Sequence, residues 1–374
     1  MSMLHLLPWC NLTKPYNIGD LRLVPLVSGK QLAVVSTEVE RSIRQLASAY
    51  RSLDGMPVSR CAMAYFEGDP MRELAPDEIR ESSELIQLAC FASLAARRFF
   101  RDTYSNSTCF TRYVQRFQDT RSIAVQTRRR DGYSLDGRVL PQTVFGIPPH
   151  AASVREVKID DTLLAALVAH RREAKAGEWA RYENAIDLFN FANSDDENVP
   201  FHVEWVMLAA AFQRLTGAAS DADAVATAFE AVVVPENPRF VRDVRFRRTS
   251  ATAANRSLRS AWMREFYSLR GEYAHGRIAT NRPHLWEPIE RLLLSAIAFP
   301  LLAKQMLAKS SRYGFTDDDW SQVDAFEALL DSDFMREPSD QAHGSDWIWT
   351  RLQSDVHGAR RLRRFIKERL KMRV

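Results

Sequence analysis

The helical half of this chain is decided by residues 253–276, which read AANRSLRSAWMREFYSLRGEYAHG. Apolar and aromatic residues recur along this stretch at helical spacing, which predicts one long amphipathic helix. Gly276 is the residue type favoured just beyond the last turn of a helix, so we expect the helix to end at His275. Arg270 and His275 then lie close together near the end of one amphipathic helix.

Shorter helical patterns surround this stretch from residue 160 onward. Ser194 and Glu197 have the spacing of a capping box and predict a helix start. Short loops between several helices are typical of a compact helical bundle. The predicted helices cover 163–175, 178–193, a segment following 194–197, 221–233, 286–309 and 320–330.

The first 155 residues mix strand and helix patterns. Thr37 and Glu40 predict a helix that ends at Gly55 and carries Tyr50 and Leu53 on its apolar face, and a second helix is predicted from 76 to 100. The predicted class is therefore α+β. Its parts are a mixed α/β N-terminal domain, an all-α bundle and a helical extension with a basic C-terminal helix, at 1–155, 156–311 and 312–374.

Composition predicts a soluble cytoplasmic protein. The four cysteines are far apart with no Cys-x-x-Cys pair, which favours free thiols over a disulfide or zinc framework. The N-terminus lacks a basic leader, and the apolar run 292–303 is shorter than the roughly 20 residues of a membrane span. The net charge is only +4, but residues 351–374 carry nine basic and two acidic side chains. We expect this tail to pack on its own domain and to contact RNA loosely.

Arg270 and His275 have the chemistry that phosphodiester cleavage needs. The guanidinium group matches phosphate oxygens and keeps its charge, whereas an imidazole gains and loses a proton near neutral pH. RNA supplies its own 2′-hydroxyl as the nucleophile, so the protein needs only a proton carrier and a stabiliser of negative charge. No carboxylate cluster suggests a metal, and we expect no cofactor.

The Arg-x4-His spacing and its surroundings resemble the HEPN ribonuclease motif, and the chain is similar to the Apea-like HEPN domain. The resemblance rests on the motif, on 184–194, 199–205 and 212–215 upstream of it, and loosely on 140–150. It implies a metal-independent endoribonuclease with Arg270 and His275 as catalytic residues. It also implies an RNA substrate, a homodimer with a composite active site, and a role in antiviral defence or a toxin-like system. The N-terminal domain would then bind a trigger or regulator.

Several neighbouring residues bear on this prediction. Gly271 follows the motif arginine, at a position where the family usually has a polar residue. Two explanations are open: the glycine allows close helix packing, or the activity of the site is reduced. Two more Arg…His pairs have spacings that the HEPN motif tolerates, at 277–284 and at 351–357. Glu183 and Asp187 are candidates to orient Arg270. Four arginines are predicted to bind nucleic acid near the site, namely Arg256, Arg259, Arg264 and Arg277.

Two other interpretations remain open at this stage. One is a catalytically silent HEPN module that binds nucleic acid or scaffolds a complex. The other is a helical assembly protein in which the motif is a coincidence. Cleavage of RNA in EDTA, and its loss in Arg270 and His275 variants, separates the enzyme from both.

Overall fold

The computed structural model describes residues 2–30, 37–68, 72–97, 99, 104–117, 123–128, 134–139, 144–235, 238–243, 255–274 and 285–331. Within them the chain forms two compact units. The first holds the described residues up to 172, except 99, together with 193–198, and the second holds the rest. The first unit combines a sheet with helices and the second is built from helices, which confirms the predicted α+β class.

The larger of the two sheets described in the first unit is antiparallel throughout. The strands described in this unit are β1 (Ser2–Leu7), β2 (Tyr16–Ile18), β3 (Leu21–Val27), β4 (Tyr50–Arg51), β5 (Arg60–Phe66), β6 (Tyr113–Phe117), β7 (Ile123–Arg128), β8 (Ser134–Val139) and β9 (Phe145–Gly146). Seven of them pair in the order β2-β3-β5-β1-β6-β7-β8. In the central strand β1, His5 lies opposite Ala64 of β5 on one side and Val114 of β6 on the other. The sequence analysis predicted no strand here, because both partners of β1 are distant in the sequence.

The helices of the first unit are α1 (Thr37–Ala47), α2 (Pro76–Ala95), α3 (Pro149–Ala152) and α4 (Asp161–Glu173). Helix α1 is shorter than predicted. Tyr50 belongs instead to the parallel pair of β4 and β9, where its ring stacks on Phe145 at 5.2 Å between centroids. Leu53 is 68% exposed and lines no helix face. The predicted end at Gly55 is wrong because pairing with a distant strand outweighs the local helical pattern.

The boundary between the units lies later than the predicted residue 155. The main-chain nitrogen of Asp160 donates to the carbonyl of Ala92 in α2 at 3.2 Å. The Arg171 guanidinium, on α4, pairs with Glu81 at 3.0 Å and with Glu84 at 2.9 Å. Helix α4 was predicted to start the bundle, but these contacts attach it to the first unit.

Aromatic side chains form the core of the second unit. Its helices are α5 (Ala176–Phe191), α6 (Phe201–Thr216), α7 (Ala222–Val232), α8 (Leu258–Ala274), α9 (Pro288–Lys309) and α10 (Asp317–Leu330). Phe212 of α6 meets Phe229 of α7, Trp262 of α8 and Phe299 of α9 edge-on, with ring centroids 5.3–6.0 Å apart. Edge-to-face aromatic pairs add specific geometry to the burial of apolar area. One ring therefore holds four helices in a fixed arrangement.

Local capping in the second unit differs from the sequence prediction at one helix. Helix α6 begins at Phe201 with Pro200 as its N-cap residue, so Ser194 and Glu197 do not form the predicted capping box. Proline suits the start of a helix because its missing N–H needs no partner there. Helix α7 carries a side-chain cap, since Asp221 accepts a hydrogen bond from the main-chain nitrogen of Ala224 at 2.8 Å.

Helix α10 is part of the second unit rather than of a separate extension beginning at residue 312. Its Asp319 carboxylate is buried and pairs with Lys304 of α9 at 2.8 Å. Tyr313 and Thr316 donate their hydroxyl groups to the same carboxylate at 3.0 Å and 2.7 Å. A domain boundary at 312 would cut through this network. The basic C-terminal helix predicted beyond it lies outside the described residues.

Helix α9 is long and apolar enough to cross a membrane by length and composition alone, over residues 289–309. However, 72% of the apolar stretch within this helix is buried inside the protein. A core helix of a soluble protein has the same properties. The structure is therefore compatible with a soluble protein.

Candidate active site on helix α8

Helix α8 holds Arg270 close to the last residue described in that helix. Trp262 and Phe266 are fully buried on its inner face and stack on each other with ring centroids 5.5 Å apart. Leu269 continues this buried face one turn later, next to Arg270. Arg270 itself is only half-buried. The packed face fixes the rotation of the helix, and this rotation determines where the Arg270 side chain emerges.

The Arg270 side chain is held by its own helix and by α6. One terminal nitrogen of its guanidinium donates to the Tyr267 hydroxyl at 2.8 Å, and its central carbon lies 5.3 Å from the centroid of the Tyr267 ring. The Tyr267 hydroxyl in turn donates to Oε1 of Gln213 at 2.7 Å. Burial raises the pKa of Tyr267, which Arg270 partly opposes, so the phenol stays protonated at neutral pH. These contacts fix the guanidinium without cancelling its charge.

Arg270 differs from the other arginines near α8 in how far its charge is compensated. Arg256 and Arg264 both pair with Asp223, at 2.9 Å and 2.8 Å, and hydrogen bonds from Arg264 and Arg256 lower the pKa of that carboxyl. Arg291 pairs with Glu265 at 3.0 Å. Arg270 pairs with no carboxylate among the residues that the structure describes, and its Nε is buried without a partner there. It is a positioned cation whose charge these residues leave uncompensated.

Arg259 was predicted to bind nucleic acid, but it is buried inside the second unit. It is 6% exposed, and its guanidinium lies 3.3 Å from Glu327 and 3.7 Å from Glu230. Burial raises the pKa of Glu327, although Arg259 and contacts from Arg239 oppose that rise. A buried and doubly paired guanidinium is not available to a phosphate. Arg259 instead connects three helices of the second unit.

Of the remaining predicted site residues, the structure describes Arg256 and Arg264 but not His275 and Arg277. Arg256 and Arg264 lie at the surface, and their shared partner Asp223 already offsets part of their charge. His275 and Arg277 lie outside the described residues, as do both alternative Arg…His pairs. The assignment of His275 therefore continues to rest on the sequence.

A histidine that the sequence analysis did not select lies near the same end of α8. The His202 ring, in the first turn of α6, stacks on Tyr273 with centroids 5.6 Å apart and planes 13° from parallel. Trp205 meets the Tyr273 ring edge-on at 5.2 Å. The available signal was the spacing of His202 and Trp205, which places both on one helix face. That spacing could not reveal Tyr273, which is 71 residues later.

Two further expectations concern the surroundings of Arg270. A methyl group added to Gly271 would meet no described atom within 4 Å, so close packing against the described part of the chain does not explain this glycine. Neither Glu183 nor Asp187 bonds to Arg270, whose described side-chain contact is Tyr267. The described contacts of Arg270 therefore give these two carboxylates no part in positioning it.

The described residues contain no group of three or more His, Cys, Asp or Glu side chains placed to hold a metal ion. All four cysteines are free and buried. In comparisons with known protein families, curated proteins and solved structures, the chain has no match.

Proposed function

We propose that this protein is a metal-independent endoribonuclease of the HEPN type. Arg270 binds the scissile phosphate and His275 transfers the proton. The observation that supports the proposal is the state of Arg270, which is positioned by Tyr267 and Gln213 yet pairs with no described carboxylate. A fixed guanidinium with uncompensated charge suits a group on which negative charge develops.

The reaction needs few protein groups. The 2′-oxygen of the ribose attacks the adjacent phosphorus, and the bond from phosphorus to the 5′-oxygen breaks. One proton leaves the 2′-hydroxyl and one reaches the 5′-oxygen, so the products carry a 2′,3′-cyclic phosphate and a 5′-hydroxyl. Arg270 stabilises the charge on the non-bridging oxygens. Histidine suits both proton transfers because its usual pKa is close to neutral pH.

The proposed assembly is a homodimer with one composite cleft. Two copies of the motif then face the same phosphate, so that one His275 accepts the proton of the nucleophile and the other donates to the leaving group. We propose a cytoplasmic setting in antiviral defence or a toxin-like system. The first unit would bind a trigger or regulator.

The central experiment measures cleavage of RNA in EDTA by the wild-type protein, Arg270→Ala and His275→Ala. We expect each substitution to lower the rate about 100-fold or more, as loss of a transition-state contact does elsewhere. Arg312→Ala is the matched control, because Arg312 is a partly buried arginine of the same unit that pairs with Glu173 at 3.3 Å. It should cleave at the wild-type rate.

Chemical substitution of the substrate tests the nucleophile. An RNA with 2′-deoxy residues at the cleavage sites should resist the enzyme, and the normal products should carry cyclic phosphate ends. Cleavage that persists without the 2′-hydroxyl contradicts the mechanism. RNA binding without cleavage by any form identifies the silent module instead.

A further inference from the structure

We propose that His202 and Tyr273 form a stacking platform for an unpaired base next to the phosphate that Arg270 binds, so that the substrate is single-stranded RNA. This inference rests on the proposed function for its substrate. The platform itself is defined by two rings, one from the first turn of α6 and one from the end of α8. Base stacking on such rings is tolerant of sequence, because every base has a π-face.

His202 is an exposed residue whose ring is stacked on one side. Tyr273 covers one face of the imidazole at 5.6 Å and nearly parallel, and His202 as a residue is exposed. In the proposed complex the base meets the other face of the imidazole. A base placed there would extend an existing stack of aromatic rings.

Further contacts hold the platform in place from below. Tyr273 forms an edge-to-face pair with Trp205, which is itself buried and whose ring centroid lies 5.5 Å from the guanidinium carbon of Arg291. Arg291 is anchored by Glu265. A ring that is held before binding loses little conformational freedom when the base arrives. This arrangement differs from that of a mobile aromatic side chain on a surface.

Arg270 lies close to the platform along α8. Arg270 and Tyr273 are three residues apart, and residues with this spacing are neighbours on a helix surface, about 5–6 Å apart at their Cβ atoms. The cation and the stacked rings thus share one side of α8. In a nucleotide strand a phosphate and the base of the same or the next nucleotide are also neighbours. Arg270 and the platform can therefore engage one strand together.

Paired RNA does not fit this site. In a duplex both faces of each internal base are covered by stacked neighbours, so such a base cannot reach the ring of His202. Unpaired bases in loops and single strands are the ones that stack on aromatic side chains. The platform therefore selects single strands and leaves the base identity open.

The test uses a short single-stranded DNA that contains one 2-aminopurine, whose fluorescence falls when it stacks. DNA lacks the 2′-hydroxyl, so binding is measured without the proposed cleavage. We expect quenching by the wild-type protein and by His202→Phe, which keeps an aromatic ring. His202→Ala should bind about tenfold more weakly and lose the quenching. Phe191→Ala, which removes a 61% exposed aromatic ring elsewhere in the unit, is the control and should behave as wild type.

The outcomes separate this inference from the proposed function. Equal quenching by the wild type and His202→Ala overturns the platform, even if RNA is cleaved. Loss of quenching in His202→Phe as well overturns it too, because the imidazole would then act by hydrogen bonding. Quenching that depends on His202 without any RNA cleavage supports the platform and contradicts the ribonuclease. Circular dichroism of each variant verifies that the fold is intact.

Discussion

The Arg270 guanidinium donates a hydrogen bond to the Tyr267 hydroxyl at 2.8 Å, from one turn further along the same helix. The hydroxyl donates its own hydrogen bond to Oε1 of Gln213, which leaves its lone pairs to accept from Arg270. A phenol positions a cation and leaves its charge in place, whereas a carboxylate would position the cation and also neutralise it. This contact is the structural basis for the first prediction.

Tyr267→Phe removes the hydroxyl and keeps the ring that packs below Arg270. We expect RNA cleavage to slow about tenfold, because the guanidinium loses the contact that orients it. Stability should fall by only about 1 kcal/mol, the typical value of one hydrogen bond. Cleavage rates and urea unfolding test both numbers. A variant as active as wild type would show that Tyr267 does not position Arg270.

Gly271→Ala should stabilise the protein. The position is helical, lacks a positive φ, and offers open space among the described atoms. Alanine in place of a helical glycine gains up to about 1 kcal/mol. Urea unfolding measures the gain. A loss of stability would reveal packing against Gly271 by a part of the chain that the structure does not describe. Gly271→Asn, measured in parallel for cleavage, tests whether a polar side chain here raises activity.

The buried pair of Lys304 and Asp319 should make the second unit sensitive to acid. Burial opposes the charged form of Asp319, but Lys304 and hydrogen bonds from Thr316 outweigh it and hold the pKa below the usual 3.8. The folded carboxyl therefore binds its proton less readily than the unfolded one. Its contribution to stability is complete above about pH 4 and is lost as pH falls through the folded pKa.

Unfolding in urea from pH 7 to pH 3 measures this contribution. The wild type should lose stability below about pH 4 more steeply than Asp319→Asn, whose side chain does not titrate. Lys304→Met leaves the carboxylate buried without its cation and should cost about 3–5 kcal/mol at pH 7. Parallel curves for the wild type and Asp319→Asn would show that Asp319 does not carry the acid sensitivity.

Arg259 and Arg264 should respond differently to removal of their charge. Arg259→Met leaves the buried Glu327 carboxylate without the guanidinium that pairs with it and should destabilise the protein by about 3–5 kcal/mol. Arg264→Ala breaks a surface pair with Asp223 and should cost at most about 1 kcal/mol. Urea unfolding of the two variants gives the comparison. Equal losses would contradict the difference in burial between the two arginines.

Local patterns were sufficient for most of the helices. The prediction of 221–233 corresponds to α7 (Ala222–Val232), and that of 286–309 to α9 (Pro288–Lys309). Each of these helices has the apolar spacing and end signals from which a helix can be predicted without tertiary contacts. The α+β class followed from the same patterns. The choice of Arg270 also came from sequence, through its place near the end of a long amphipathic helical pattern.

Long-range contacts decided the rest. Strand β1 exists because β5 and β6 lie on either side of it, and α1 ends early because Tyr50 pairs with Phe145. Arg259 was predicted to bind nucleic acid, but Glu327, 68 residues away, holds it inside the protein. The stacking of His202 on Tyr273 likewise joins two helices. A sequence specifies which residues can form helices and carry charge, but only packing between distant segments decides which charges are compensated and which rings meet.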